Sequence, residues 1–580
     1  MGRTTNILLS TGFVLGALSQ TNQKIDLAAL GPIYQPAANH SYQAFATARR
    51  QATDAINELI ATGNNTYGVF DNQGTSFSAS VFDLTSDEYL FEFHFEAPGL
   101  NGSYTKGKLS ENTIYRTGSL GKLLTIYNWL VDIGDGVYLD PITKYVPELE
   151  AAGKSYKNPL LSTNWSEVTV GSLASQASGI GRDCERSPPV SNSVDKDGYP
   201  PLGNESVIEC NSYGDSLPPC TRAQFLQGVI EHPPVFPSYT TPSYSNLAYA
   251  ILGLAYENIT GKSLSDGMRD LYHDKLGMTS TTPTAPGDGS DAVIPRNDSY
   301  AIFTYDIGIQ RPAGGQYTST KDLKTWGQAI LSHKLLPGFV TRRWMKPTTF
   351  TSQWEAAVGA PWEIYRYTVP ADTVINASRI VDAYTKSGDI GLYSTMFGLV
   401  PDYNLGFTVM TAGDNPNRQV PPVRGIIVDT FYKAAEAAAK EQARRAFTGT
   451  FRSSDRNSSI TLAVDGGAGV KVEQWTSNGT DFLTQEYLAS FHDFRLFPTE
   501  LSTEADGLTY YKYHLDSFVN PDGEPFTGDP WAEYNDYWIQ IDENIYDNLS
   551  TDAFVIGFDT DGVVQSVASQ ALRTTMLRSA

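Results

Sequence analysis

After Phe447 the chain stops reading as a mixture of helices and strands and becomes a succession of short alternating runs. SITLAVDG, GVKVEQW, YYKYHL and AFVIGF place apolar side chains at every second position and are separated by Gly, Asn and Asp. A period of two sends successive side chains to opposite faces of a strand. Residues 447–580 are therefore expected to form an antiparallel β domain of their own, a small barrel or a sandwich. The boundary is sharp because residues 426–446 end in AAEAAAKEQARRAF, and Ala, Glu, Lys and Arg are strong helix formers.

Upstream the periodicity is mixed. Residues 41–63 predict a helix with Ala44, Ala46, Ala52, Ala55, Ile56, Leu59 and Ile60 on its apolar face. Residues 74–97 and 393–412 each predict two strands around a turn. Helices are expected over Ser119 to Ile133, with Leu120, Leu123, Leu124, Tyr127 and Leu130 buried, and over 247–261. Residues 181–222, rich in Pro and Gly, read as loop. The chain thus divides into an N-terminal leader (1–19), a Pro/Ala-rich arm (20–40), a mixed domain (41–446) and the β domain (447–580).

With 42 Lys and Arg against 64 Asp and Glu, the formal charge is -22. Such a surface repels phosphate backbones and anionic lipid, so nucleic acid and membrane surfaces are poor partners. Three Cys and seven scattered His do not make a zinc scaffold, and no metal site is expected.

Residues 1–19 read as a signal peptide: Arg3, an apolar run from Ile7 to Leu18, and small residues at Ala17 and Ser19. The run is too short to span a bilayer, and no other run is long enough. Glycosylation sequons begin at Asn39, Asn64, Asn101, Asn164, Asn204, Asn258, Asn297, Asn376, Asn457, Asn478 and Asn548. Those 11 exceed the roughly 5 that chance would give at this Ser and Thr content, as expected of a secreted glycoprotein. In an oxidising compartment two of Cys184, Cys210 and Cys220 can pair. Cys210 and Cys220 close the shortest loop, but the sequence leaves the pairing open.

The sequence holds no G-x-S-x-G, no H-E-x-x-H and no phosphate-binding G-x-x-x-x-G-K-[ST]. It does hold Ser119-Leu120-Gly121-Lys122 at the start of a predicted helix. Residues three apart share a helix face, so the amine can reach the hydroxyl. A serine needs a base to become a nucleophile, and a desolvated lysine can lose its proton near neutral pH. A helix N-terminus adds positive potential where an oxyanion would form. Alone this is weak, and a second Ser-x-x-Lys at Ser193 to Lys196 reads as solvated loop. Two further elements add weight. Tyr244-Ser245-Asn246 precedes a helix, and residues two apart in extended chain face the same way. Lys386-Ser387-Gly388 precedes strand-like sequence, and Gly388 permits close approach of a ligand to the backbone. Tyr-x-Asn recurs at Tyr546 to Asn548, so only the order, spacing and context of the three elements make the set specific.

On these residues the chain resembles the serine β-lactamase and penicillin-binding protein superfamily, in its class C and esterase branch. The contexts Leu173 to Ile180, Pro242 to Asn246 and Ala313 to Tyr317 add to the likeness, which covers about residues 41–446. It comes nearest to secreted fungal β-lactamase-like proteins with an extra C-terminal β domain. The resemblance implies an α/β (α+β) transpeptidase-like domain, an antiparallel sheet flanked by helices. It implies that Ser119 forms an acyl-enzyme, that Lys122 and Tyr244 share acid and base work, and that Asn246 orients Lys122 or holds a substrate amide. Lys386 would place charge near Tyr244 or a substrate carboxylate. Backbone N–H groups of Ser119 and Asp389 would form the oxyanion hole. Ser387 stands where Thr is more usual, Gln176 where His is common, and Asp389 sets a carboxylate beside the oxyanion site.

The expected activity is that of a secreted serine hydrolase on a small-molecule ester or amide, an esterase before a true β-lactamase, with no cofactor. Acyl transfer to a small-molecule acceptor in secondary metabolism uses the same residues. A catalytically inactive secreted binding protein is a third reading and a glycosidase a fourth, though the sequence singles out no carboxylate pair for glycoside cleavage. The segment 181–222 is expected to contribute to a lid or pocket wall. The aromatics Trp531, Tyr534, Tyr537 and Trp538 of the β domain are expected in its core.

Overall fold

The computed structural model describes residues 27, 29–37, 42–154, 158–184, 210, 217–370, 378–485, 491–519 and 537–579. The leader, most of 181–222, and Asn39, Asn204 and Asn376 lie outside the described residues, as do Ser193 to Lys196 and Trp531 and Tyr534.

The mixed domain is built on an eight-stranded antiparallel sheet. In chain order its strands are β1 (Thr75–Asp83), β2 (Phe91–Phe95), β3 (Thr349–Phe350), β4 (Ala356–Val358), β5 (Glu363–Val369), β6 (Arg379–Ile390), β7 (Tyr393–Val400) and β8 (Leu405–Gly413). Their spatial order is β2-β1-β8-β7-β6-β5-β4-β3. The central strands β1, β7 and β8 are buried along their whole length, as strands covered on both faces must be.

One face carries α1 (Gln43–Thr62) and the last helix of the domain, Pro416–Phe447. The stripe that α1 buries is Phe45, Ala48, Ala52, Ile56 and Leu59, spaced three and four apart. Ala44, Ala46, Ala55 and Ile60 only flank it, because Phe45 anchors the stripe with far more apolar area than an alanine. Gly63 closes α1 in the left-handed conformation, its N–H bonded to Leu59 O at 2.8 Å.

The opposite face carries a helical layer whose centre is α2 (Gly121–Asp132). The sequence pattern predicts an amphipathic helix here, yet every residue from Gly121 to Leu130 is buried. It is enclosed between the sheet and the helices α3 (Asn246–Thr260) and α4 (Thr320–Leu331), in one core with Leu123, Leu252, Trp326 and Phe397. The final helix, α5 (Pro416–Phe447), starts ten residues before the predicted 426. Pro421 and Pro422 each remove a helical hydrogen bond, which favours a later start. Burial of Val420, Val423, Ile426 and Ile427 against α1 and the sheet outweighs that loss.

α5 joins the two domains. Its segment to Ala438 packs on the sheet, while Ala439, Ala443, Ala446 and Phe447 join the core of the β domain. That domain is a closed barrel of eight antiparallel strands: β9 (Gly449–Arg452), β10 (Ser459–Ala463), β11 (Val470–Ser477), β12 (Phe491–Ala505), β13 (Leu508–Val519), β14 (Ala553–Phe558), β15 (Val564–Ser569) and β16 (Thr574–Arg578). Each pairs with its neighbour in sequence, and the pairing of Phe451 with Arg578 closes the ring. Trp475, Leu496, Phe554, Ile556 and Met576 fill it. Trp538, expected in this core, is instead 68% exposed, because it lies on a short turn between β13 and β14 and not on a strand.

Candidate active site

The turn before α2 is set by backbone fit. Gly118 takes a φ of +51°, and a Cβ there would sit 2.5 Å from Asp389 N. On the facing strand a Cβ on Gly388 would lie 2.1 Å from Thr117 O and 2.7 Å from Ser119 N. The strand end of the Lys-Ser-Gly motif therefore lies directly against the Ser119 turn, and only glycine permits that approach. Thr395 on β7 fixes the turn from below by donating to Thr117 O at 2.8 Å.

Ser119 ends half-buried at the mouth of a cavity of about 230 Å³, lined also by Gly118, Arg182, Asn246, Gly314 and Asp389. Lys122 is fully buried beneath it. Its ammonium donates to Ser119 Oγ at 3.1 Å, Asn246 Oδ1 at 2.7 Å and Ala313 O at 2.7 Å. Tyr244 Oη hydrogen-bonds to the same Ser119 Oγ. Two elements 125 residues apart in sequence thus meet at one hydroxyl, with the Lys-Ser-Gly strand end against the same turn. The Tyr-Ser-Asn turn is held by Gln176, whose Oε1 accepts from Ser245 N at 2.7 Å, and by Ser245 Oγ, which donates to Gly181 O at 2.7 Å. Ser245 also caps α3.

Burial, joined by the like charge of Lys386, pushes the Lys122 ammonium down to about 8 against the pull of Tyr244. Burial pushes the Tyr244 phenol up, but the Lys122 and Lys386 charges outweigh it and hold it below its ordinary value. Lys386 Nζ lies 5.6 Å from the Tyr244 ring centroid. Burial opposes its charge too, and the Glu363 carboxylate overrides that and holds it above its ordinary value.

Two carboxylates at the site carried no sequence signal. Asp183 accepts from Asn246 Nδ2 at 3.0 and 3.3 Å. Glu363 on β5 pairs with Lys386 and accepts from Ser387 N at 2.9 Å and Ser387 Oγ at 2.8 Å. Glu363 stands opposite Thr385 in the β5–β6 register, so only strand pairing could have revealed it. Of the segment 181–222, Arg182 and Asp183 do line the cavity.

Other expectations separate from this centre. Tyr546 lies exposed in the barrel domain. Cys210 and Cys220 form a disulfide, while Cys184 keeps its thiol, 3.8 Å from Phe225 O. Asn64, Asn101, Asn258, Asn297, Asn457, Asn478 and Asn548 are exposed and Asn164 is half-buried. Among the described residues no cluster of His, Cys, Asp and Glu is placed to hold a metal ion, and no helix is long and apolar enough to cross a membrane. A larger cleft of about 1280 Å³, lined by residues of both domains such as Arg366, Arg379, Glu500 and Tyr511, contains none of Ser119, Lys122 and Tyr244. One Ser–His–acid chain carries no signal in the sequence: Glu92, His94 and Ser78 are joined at 2.9 and 2.8 Å across β1 and β2. Ser78 is fully buried, bonded also to Tyr115 Oη at 2.9 Å, and lines neither cavity.

The chain is 27% identical over 485 residues to a beta-lactamase-like protein of Arthroderma benhamiae, covering 78% of this chain and 76% of that one. It is 25% identical over 494 residues to the "Probable hydrolase M10" of a Phoma species, covering 79% and 76%. A beta-lactamase/D-alanine carboxypeptidase from Yersinia pestis superposes with a TM-score of 0.46 at 20% identity, over 66% of this chain and 99% of that one. Residues 439–580 match the family described as "Beta-lactamase-like-like, C-terminal domain". Residues 75–430, which hold Ser119, Lys122, Tyr244 and Lys386, match the Beta-lactamase family, and the chain belongs to it.

Proposed function

We propose that the protein is a secreted serine hydrolase that cleaves a small-molecule ester or amide through an acyl-enzyme on Ser119. The observation that carries this reading is the double approach to one hydroxyl: Lys122 Nζ at 3.1 Å and the Tyr244 phenol both bond to Ser119 Oγ. A buried amine and a phenol held below its ordinary value form a coupled pair able to take the serine proton near neutral pH. Ser119 Oγ then bonds to the acyl carbon, and the N–H groups of Ser119 and Asp389 face the oxyanion. The pair returns the proton to the leaving alcohol or amine as its bond to the acyl carbon breaks. Water repeats the sequence, releasing the acid and restoring the serine.

The signal-like leader and the exposure of seven sequon asparagines support secretion and glycosylation. Transfer to a small-molecule hydroxyl or amine follows the same path with a different acceptor. The test is product analysis on an ester panel, with and without added alcohols, wild type beside Ser119→Ala. Free acid from wild type alone supports hydrolysis, and new esters at the expense of acid point to transfer. No turnover by folded wild type favours a binding protein.

A further inference from the structure

Two of the cations around Ser119, Lys386 and Arg182, are matched by carboxylates that the chain itself supplies. Lys386 is 2% exposed and its ammonium is taken by Glu363 and by Ser387 O at 2.8 Å. The other Glu363 oxygen takes both Ser387 N and Ser387 Oγ. An internal carboxylate thus takes both Ser387 donors and pairs with the Lys386 ammonium, the groups that this edge could otherwise offer to an anionic ligand. Arg182 stands over the Tyr244 ring at 4.7 Å and faces Asp183 at 3.5 Å. Lys122 lies wholly buried behind Ser119, bonded to three neutral oxygens. Asp389, exposed and lining the cavity, adds a carboxylate that forms no ion pair among the described residues.

We propose that Glu363, reinforced by Asp389, sets the substrate class of this site: acyl compounds uncharged beside the scissile carbonyl are accepted, and those with a carboxylate there are turned away. The proposal rests on the reading of Ser119 as the nucleophile. A substrate carboxylate would have to displace Glu363 from Lys386, leaving one anion without its partner, and would meet Asp389 as well. Neutral esters and amides incur neither cost. β-Lactams, which carry a carboxylate beside the ring nitrogen, fall in the rejected class.

The test uses two matched fluorophosphonates, one ending in a carboxamide and the other in a carboxylate two carbons from phosphorus. Their second-order rates of adduct formation on Ser119 are compared on the intact protein. The carboxamide probe is expected to react about tenfold faster with wild type. In Glu363→Gln, where the probe's own carboxylate can serve Lys386, the ratio should fall to about twofold. Equal rates in wild type, or faster reaction of the carboxylate probe, overturn the proposal. So does a preference that persists undiminished in folded Glu363→Gln. Where that variant does not fold, Asp389→Asn replaces it, and an undiminished ratio there also overturns the proposal. Failure of the carboxamide probe to label Ser119 at all strikes instead at the reading of the serine as nucleophile.

Discussion

Asp183 holds the amide of Asn246 with both carboxylate oxygens, at 3.0 and 3.3 Å from Nδ2. That contact fixes which end of the amide faces Lys122: Oδ1 points at the ammonium, 2.7 Å away. A flipped amide would set an NH₂ group against a cation. Asp183 is therefore a positioning residue that acts through Asn246, and its charge also holds the Lys122 proton more firmly.

Two substitutions separate those effects. Asp183→Asn keeps an acceptor for Asn246 but removes the charge, so the rising limb of the kcat/KM profile should move to lower pH with little loss of kcat. Asp183→Ala removes both, and kcat should fall about tenfold with KM near wild type. Steady-state kinetics between pH 5 and 10 distinguish this from a merely structural role, in which neither variant moves the limb.

The wild-type pH profile follows from the coupled pair. Only the deprotonated pair can accept the serine proton, and Lys122 is pushed down to about 8. Activity should therefore rise as pH climbs through about 8 and level off above it, with an apparent value that belongs to Lys122 and Tyr244 together. Tyr244→Phe should cost roughly 10²–10⁴ in kcat. A profile flat from pH 6 to 9 would contradict this assignment.

Gly388→Ala tests the backbone fit at the nucleophile. Its Cβ would press on Thr117 O and Ser119 N, both main-chain atoms of a turn that Thr395 holds in place. The turn must shift, and a misplacement of about 1 Å at the nucleophile costs on the order of 10²-fold in rate. A folded Gly388→Ala variant with wild-type kcat would show that the strand end does not set the position of Ser119.

The joint between β6 and α5 depends on a buried ion pair. Arg379 and Glu436 are each 2% exposed and meet at 2.6 Å, with Tyr403 Oη also donating to Glu436 at 2.7 Å. Glu436→Ala leaves the buried guanidinium only its longer contact with Asp402 and should cost about 3–5 kcal/mol in urea unfolding. A loss below about 1 kcal/mol would mean that Asp402, 3.2 Å from Arg379, suffices alone.

The sequence carried the elements proposed as catalytic because each is local. Ser119 and Lys122 share a helix start, Tyr244 and Asn246 share an extended turn, and their order with Lys386-Ser387-Gly388 marked the set. Asp183 and Glu363 were illegible because each acts on a partner brought near only by tertiary folding: Asn246 lies 63 positions from Asp183, and Lys386 is reached across a strand pair. The Ser78–His94–Glu92 chain was hidden for the same reason. Alternation after Phe447 revealed strands with one buried face but left barrel and sandwich equal, because closure depends on the pairing of the first strand with the last. The early start of α5 ran against its prolines and was decided by packing.

The central claim is that Ser119, and not the buried Ser78, is the activated serine. Deglycosylated protein treated with a small fluorophosphonate, followed by intact mass and peptide mapping, tests it directly beside Ser119→Ala. The account predicts one adduct on wild type, mapped to Ser119, and none on the variant. No adduct on folded wild type, or an adduct that persists in Ser119→Ala, would contradict it.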